Sequence, residues 1–124
     1  MNTWKSQDVG AITSPQEVQV VTRRGDGTLR RLRTIWVVGD GDRIFIRSTN
    51  GRGADWFRGA IAAGTGQIHA RGTAYDVSFT ELDGEADLAA ADAGYRAKYG
   101  HYASIVDHLE EEGPRSATLE VHPA

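Results

Sequence analysis

Residues 46–57, IRSTNGRGADWF, gather two hydroxyls (Ser48, Thr49), an amide (Asn50), an arginine between two glycines (Gly51, Arg52, Gly53) and an aromatic pair (Trp56, Phe57). These are the parts of an anion cradle. The hydroxyls and amide donate hydrogen bonds, and the glycines let main-chain N–H groups come close to an oxyanion. Arg52 adds a fixed charge, and a helix starting near Ala54 turns its positive end to the same place. The same residues also suit a plain strand-to-helix connection, with Asn-Gly as a turn and Gly-Ala-Asp as a helix start. Cradle and turn both remain open from the residues alone.

A second group is Arg23, Arg24, Arg30, Arg31 and Arg33, five arginines without a lysine, opposed in that segment only by Asp26. The guanidinium fork suits phosphate and carboxylate, and the alternative is a solvated strand face. Against nucleic acid stand the net charge of −3 and the lack of aromatic residues interleaved with the arginines. A third group is Tyr95, Tyr99 and Tyr102, which share one face if a helix runs on through Gly100. Such a stripe packs a core or walls a pocket that is apolar yet able to donate hydrogen bonds.

Other chemistries lack their residues. There is no cysteine, which removes disulfides, thiol nucleophiles and thiolate metal sites. His69, His101, His108 and His122 have no metal-site spacing, so no metal is expected and they read as structural or surface groups. Asp83, Glu85 and Asp87 suit a helix start, and Glu110, Glu111 and Glu112 a solvated helix end. No nucleophile elbow, Walker loop or dinucleotide fingerprint occurs, and Ser48 has no neighbouring His to activate it. The residues point to binding more clearly than to catalysis.

The elements that must position these groups follow from periodicity. Residues 3–12 predict a short helix carrying Trp4 and Ile12 inward. Residues 17–23 alternate as a strand, 24–28 turn, 29–38 return, 39–42 turn again and 43–48 form a third strand, which together predict a three-stranded meander. A helix runs from Ala54 to Gly64, a hairpin over 66–82 turns at Arg71–Thr73, and helices over 84–100 and 102–109 precede a last strand at 116–122. At 124 residues the chain forms one domain, 1–124, with a helical segment at 1–15 and a core over 17–121. The fold class is α+β with six mainly antiparallel strands that close into a barrel with flanking helices. Neither a basic leader with an apolar run nor a membrane-length segment appears, so a cytoplasmic protein without membrane contact is expected.

The string RLRTIWVVGDGDRIFIRSTNGRGADWFRGAIAAG resembles the flavin-binding split β-barrels related to pyridoxamine phosphate oxidase, particularly the deazaflavin-dependent nitroreductase-like branch and an uncharacterised bacterial family, DUF2255. Arg31, Thr34, Ile35 and Trp36 match that branch's pattern of an arginine, two residues and then Pro-Leu-Trp, with Thr34 in the proline's place. Gly41-Asp42 matches its turn, Ser48, Gly51 and Gly53 its glycine-bearing loop, and Trp56-Phe57 its aromatic helix, with Gly59-Ala60 in place of Asn-Leu. The resemblance implies a split barrel, a homodimer, and FMN or a deazaflavin (coenzyme F420) as cofactor of an oxidoreductase-type protein. The phosphate would then lie with Arg31, Arg33, Ser48, Thr49 and Arg52 and the ring over Trp36 and Val37, with Thr34, Asn50, Gly51, Gly53 and Trp56 completing the cofactor site. Tyr99 and Tyr102 are expected to face the substrate. The alternative is a non-catalytic member of the fold that binds a phosphorylated or aromatic small molecule, or a dimeric interaction module.

Overall fold

A hairpin long enough to span residues 29–38 would need every main-chain group paired with a neighbouring strand, and at Trp36–Val37 the chain does otherwise. The computed structural model describes residues 3–124, so the first two residues of the expected segment 1–15 lie outside it. Strand β2 is Arg33–Ile35, paired with β1 (Val18–Thr22), and β3 is Val38–Asp40, paired with β4 (Arg43–Arg47). One seven-stranded antiparallel sheet runs in the order β2-β1-β5-β6-β7-β4-β3, with β5 at Thr65–Ala70, β6 at Thr73–Leu82 and β7 at Thr118–Pro123. The strands β2 and β3 are therefore neighbours along the chain and opposite edges of the sheet. Trans peptides reach at most about 3.6 Å per residue, so two edges this close along the chain require the sheet to curl on itself.

That arrangement corrects two expectations. There are seven strands rather than six among the described residues, because the single returning strand is split in two. The three-stranded meander is replaced by two hairpins at opposite sheet edges. The physical reason is the partner set of Val37. Its N–H donates to the Tyr99 hydroxyl at 3.2 Å, and its carbonyl accepts from Lys98 Nζ at 2.8 Å. Side chains of helix α3 (Glu85–Tyr99) thus satisfy main-chain groups that no strand can reach at the crossing.

Strand β4 is buried on both faces and so divides two cores. Ile44 and Ile46 point into the barrel with Val18, Val20, Ile68, Leu119 and Val121, and helix α2 (Asp55–Ala63) adds Phe57 and Ala60. Phe45 points the other way, into a second cluster with Leu88, Ala91, Tyr95 and Tyr99 of α3, and with Val106 and Leu109 of α4 (Ala103–Leu109). Helix α1 (Ser6–Thr13) closes the barrel with Val9 and Ile12, and the Trp4 indole N–H donates to Val121 O at 2.8 Å. A short helix α5 (Glu112–Arg115) leads into β7, with Pro114 tolerated inside its first turn. Among the described residues no helix is long and apolar enough to cross a membrane.

Glycine is required where β5 meets β1. A Cβ at Gly66 would overlap the Val21 carbonyl oxygen and press on Phe79 from the other side. Gly66→Ala is expected to destabilise the fold by about 1–3 kcal/mol, read as a lower urea midpoint with an unchanged m-value.

Candidate functional site

Between β2, the β4–α2 connection and α4 lies a cleft of about 750 Å³. Its walls are half-buried Trp36 and Trp56, with Thr34 and Ile35 from β2 and Thr49, Asn50, Gly53 and Ala54 from the loop. Helix α2 begins beside it at Asp55, and Ala54 at the N-cap offers no side-chain acceptor to the first N–H groups of the helix. The volume and the mixture of aromatic walls with a few polar groups suit a small organic ligand.

The floor is built from the outer face of β4. Parity along the strand puts Arg47 on the same side as Phe45. The Arg47 side chain is fully buried and makes four hydrogen bonds: Nε meets Thr118 Oγ1 at 2.8 Å, Nη1 meets Asp92 Oδ1 at 2.6 Å and Leu109 O at 3.0 Å, and Nη2 meets Leu88 O at 3.3 Å. Asp92 also takes Arg115 at 2.9 Å, so one carboxylate serves two guanidinium groups. Tyr95 lies over this arginine, its ring centroid 5.5 Å from the guanidinium carbon. Burial pushes the Tyr95 phenol well above its ordinary range, with the Arg47 charge opposing it, so it stays protonated. Its hydroxyl is buried and has no hydrogen-bond partner among the described residues.

Beside the cleft, and sharing Arg33, Asp55 and Trp56 with it, runs a groove of about 470 Å³ that carries Arg24, Arg30, Arg31, Arg33 and Arg58. Asp55 is the one carboxylate there among the described residues, 3.8 Å from Arg33. Gly59 lets α2 settle on β1 at this point, because a Cβ would run into the Thr22 hydroxyl. Arg23 belongs elsewhere, bonded to Gly27 O and near Asp76.

The residues expected at a site are thus partly brought together. Arg33, Thr34, Trp36, Thr49, Asn50, Gly53 and Trp56 line the cleft, and Arg31 lies in the adjoining groove. Val37 is fully buried in the barrel core. Ser48 is buried with its hydroxyl unpartnered among the described residues, and Gly51, at φ +71°, packs against the Gly113 carbonyl. Arg52 is not at the cleft: its guanidinium is held by Glu81 and by Ser116 O at 2.6 Å, in a separate hollow. Nor are the two substrate-facing tyrosines. Tyr99 is buried under Trp36, rings parallel at 3.9 Å, and its hydroxyl donates to Gln16 O at 2.8 Å. Helix α3 ends at Tyr99, so Tyr102 falls off the stripe and lies exposed at the start of α4.

Sequence reasoning passed over Arg47, Glu17, Ile105 and Leu109, which also line the cleft, and set Tyr95 aside in favour of its two neighbours. Two signals were available. Strand parity distinguishes Arg47 from Ile46, and Leu88, Ala91, Tyr95 and Tyr99 recur at helical spacing.

The curled antiparallel sheet with its flanking helices is a split β-barrel fold. Within it the chain belongs to the DUF2255 family, described as uncharacterized protein conserved in bacteria, whose model matches residues 8–121. No curated protein matches the sequence. Similar solved structures include an F420-H2 dependent reductase, at 18% identity and TM-score 0.62 over 86% of this chain and 93% of that one. The heme storage protein HutZ from Vibrio cholerae is similar at 12% identity and TM-score 0.68 over 100% and 92%. A FAD-binding protein from Mesorhizobium loti is similar at 14% identity and TM-score 0.56 over 98% and 89%. At these identities the likeness establishes the fold.

Asp92 is the residue on which the floor can be tested without a ligand. Asp92→Ala strands the buried Arg47 charge and is expected to cost about 3 kcal/mol in chemical denaturation. Arg52→Ala, which removes an exposed pair, is expected to cost no more than about 1 kcal/mol.

Proposed function

We propose that the protein binds a ring cofactor with an acidic tail, FMN or a deazaflavin, in the cleft and serves as an oxidoreductase-type protein whose substrate is a small molecule. The observation that carries this reading is the junction of the two hollows: an aromatic-walled cleft opens, past Arg33 and Trp56, onto a groove with five guanidinium groups. A flat ring with a phosphate or carboxylate tail has the two chemistries this junction offers. Trp36, Trp56 and Thr34 would hold the ring. Arg33, Thr49, Asn50, Gly53 and the start of α2 would hold the first acidic group, and Arg31 the charge beyond it.

The cofactor would supply the hydride or electron transfer. The chain's own part is to bind, orient and shield. Tyr95 is suited to donate one hydrogen bond from its protonated hydroxyl at the floor, and Arg47 holds the ring of Tyr95 in place while keeping positive charge beneath the ligand. The paired indole and phenol of Trp36 and Tyr99 make the wall rigid.

A second reading, a non-catalytic binder of the same ligand class, is favoured by one observation. Tyr99, expected to meet a substrate, has its hydroxyl committed to Gln16 and Val37. We also propose a homodimer, supported by the exposure of Leu29, Leu32 and Ile61, and sedimentation should then show twice the 13.5 kDa of one chain.

Titration with FMN and with the deazaflavin, followed by absorbance, tests the binding, and a protein that takes up neither rules the reading out. Steady reduction of a quinone or nitroaromatic separates the enzyme from the binder. Tyr95→Phe should act in opposite directions on fold and ligand. It removes an unpartnered buried hydroxyl, so the free protein should gain up to about 1 kcal/mol, while cofactor affinity falls by about two- to tenfold. Calorimetry of both forms reads the two effects.

A further inference from the structure

His108 sits on α4 just before Leu109, which lines the cleft and whose carbonyl accepts from Arg47. Its two ring nitrogens reach in different directions. Nε2 lies 2.7 Å from the Thr49 carbonyl oxygen, and Nδ1 lies 2.6 Å from Glu111 Oε1. A carbonyl and an ionised carboxylate only accept hydrogen bonds, and a neutral imidazole has one N–H and one lone pair. Both contacts are hydrogen bonds only when the ring is the imidazolium. In the neutral ring, a lone pair faces one of the two oxygens.

The contact with Thr49 ties the cleft's rim to one of its walls. Thr49 and Asn50 line the cleft from the loop, and Ile105 and Leu109 line it from α4. The loop is otherwise fastened through its neighbours, Ser48 N–H to Ala117 O and Gly51 N–H to Ser48 O, each at 3.1 Å. We propose that His108 is a proton-controlled clamp on this rim: charged, it holds Thr49 and Asn50 against α4 in the ligand-ready shape; neutral, it gives up one contact and the rim loosens, so that ligand affinity follows pH.

The surroundings leave Glu111 as the acidic partner. Among the described residues it is the carboxylate within ion-pair distance of the ring. Asp107 and Glu110 of the same segment are paired with Arg96, and Arg52 of the loop that carries Thr49 is taken by Glu81. The loop presents a neutral carbonyl. The Thr49 carbonyl first, and Glu111 next, raise the titration of His108 above that of a free histidine. The clamp is consequently engaged on the acid side and released as pH rises through that titration.

The effect on affinity rests on the cofactor-binding reading, whereas the clamp itself can be followed without ligand. In an NMR titration of the free protein from about pH 5.5 to about 8.5, the Thr49 and Asn50 amides should shift with the same midpoint as the His108 ring. The affinity for FMN or the deazaflavin should fall by about three- to tenfold over that range. Glu111→Gln offers an N–H donor to Nδ1, so a neutral ring keeps both contacts. In that variant affinity should be retained and its pH dependence lost. His108→Ala should bind weakly and evenly at all pH values. Loop amides that ignore the His108 titration, or a Glu111→Gln variant that keeps the full pH dependence, would overturn the clamp. Failure of both cofactors to bind overturns the function instead, and the amide titration of the free protein then decides the clamp alone.

Discussion

The passage of the chain through Trp36 and Val37 is the point on which the rest of the molecule depends. At Val37 the chain leaves the first sheet edge and enters the last, and the N–H and C=O groups of this residue fall between strands where no ladder can reach them. An unmet buried peptide group costs about 1–3 kcal/mol. The Tyr99 hydroxyl and the Lys98 ammonium meet both at once, and Lys98 further binds the Thr13 carbonyl at the end of α1. Helix α3 therefore does more than cover a face. It fastens β2, β3 and α1 to one another, and burial leaves its Lys98 with a pKa lowered to about 8 as the cost of that position.

The same helix determines the character of the cleft. Because Tyr99 is used to hold the crossing, its ring lies under Trp36 and fixes that indole as a wall. Asp92, largely shielded, is shared by Arg47 and Arg115, so a strand arginine is buried below the cleft with a carboxylate partner. Tyr95, between these two, keeps a buried hydroxyl without a hydrogen-bond partner among the described residues. Architecture, charge and unmet bonding capacity meet in a stretch of two helical turns on α3.

The element types were legible in the sequence because their periodicities are clear. Val18 and Val20 alternate as a strand, Tyr95 and Tyr99 share one buried face of α3, and the turn at Gly41 falls where its residues place it. The split of residues 29–38 was not legible, because its cause lies some sixty residues away in Tyr99 and Lys98, and local β-propensity at Ile35–Val38 favours continuity. For the cleft, Arg33, Thr34 and Trp36, and from the loop Thr49, Asn50 and Gly53, could be named, since residue type and a short resemblance marked them. Arg52 carried the strongest chemical signal of the loop, yet Glu81 and Ser116, distant in sequence, take its charge. Tyr102 failed as a member of the stripe for a local reason: the helix stops at Gly100 and the face turns.

Strand β7 occupies the interior of the sheet between β6 and β4, although it comes from the last segment of the sequence. Its pairing with β4 joins residues as far apart as Ile44 and Val121. Until that pairing forms, the sheet exists as two separate pieces, β2-β1-β5-β6 and β4-β3, each with a raw hydrogen-bonding edge. Closing so long a loop is entropically unfavourable and rewarded late, which places this domain among slow folders. The unpaired edges of β4 and β6 are the surfaces a nascent chain must keep from other chains in the meantime, and the molecule's vulnerability to aggregation is concentrated in that interval rather than in its finished state.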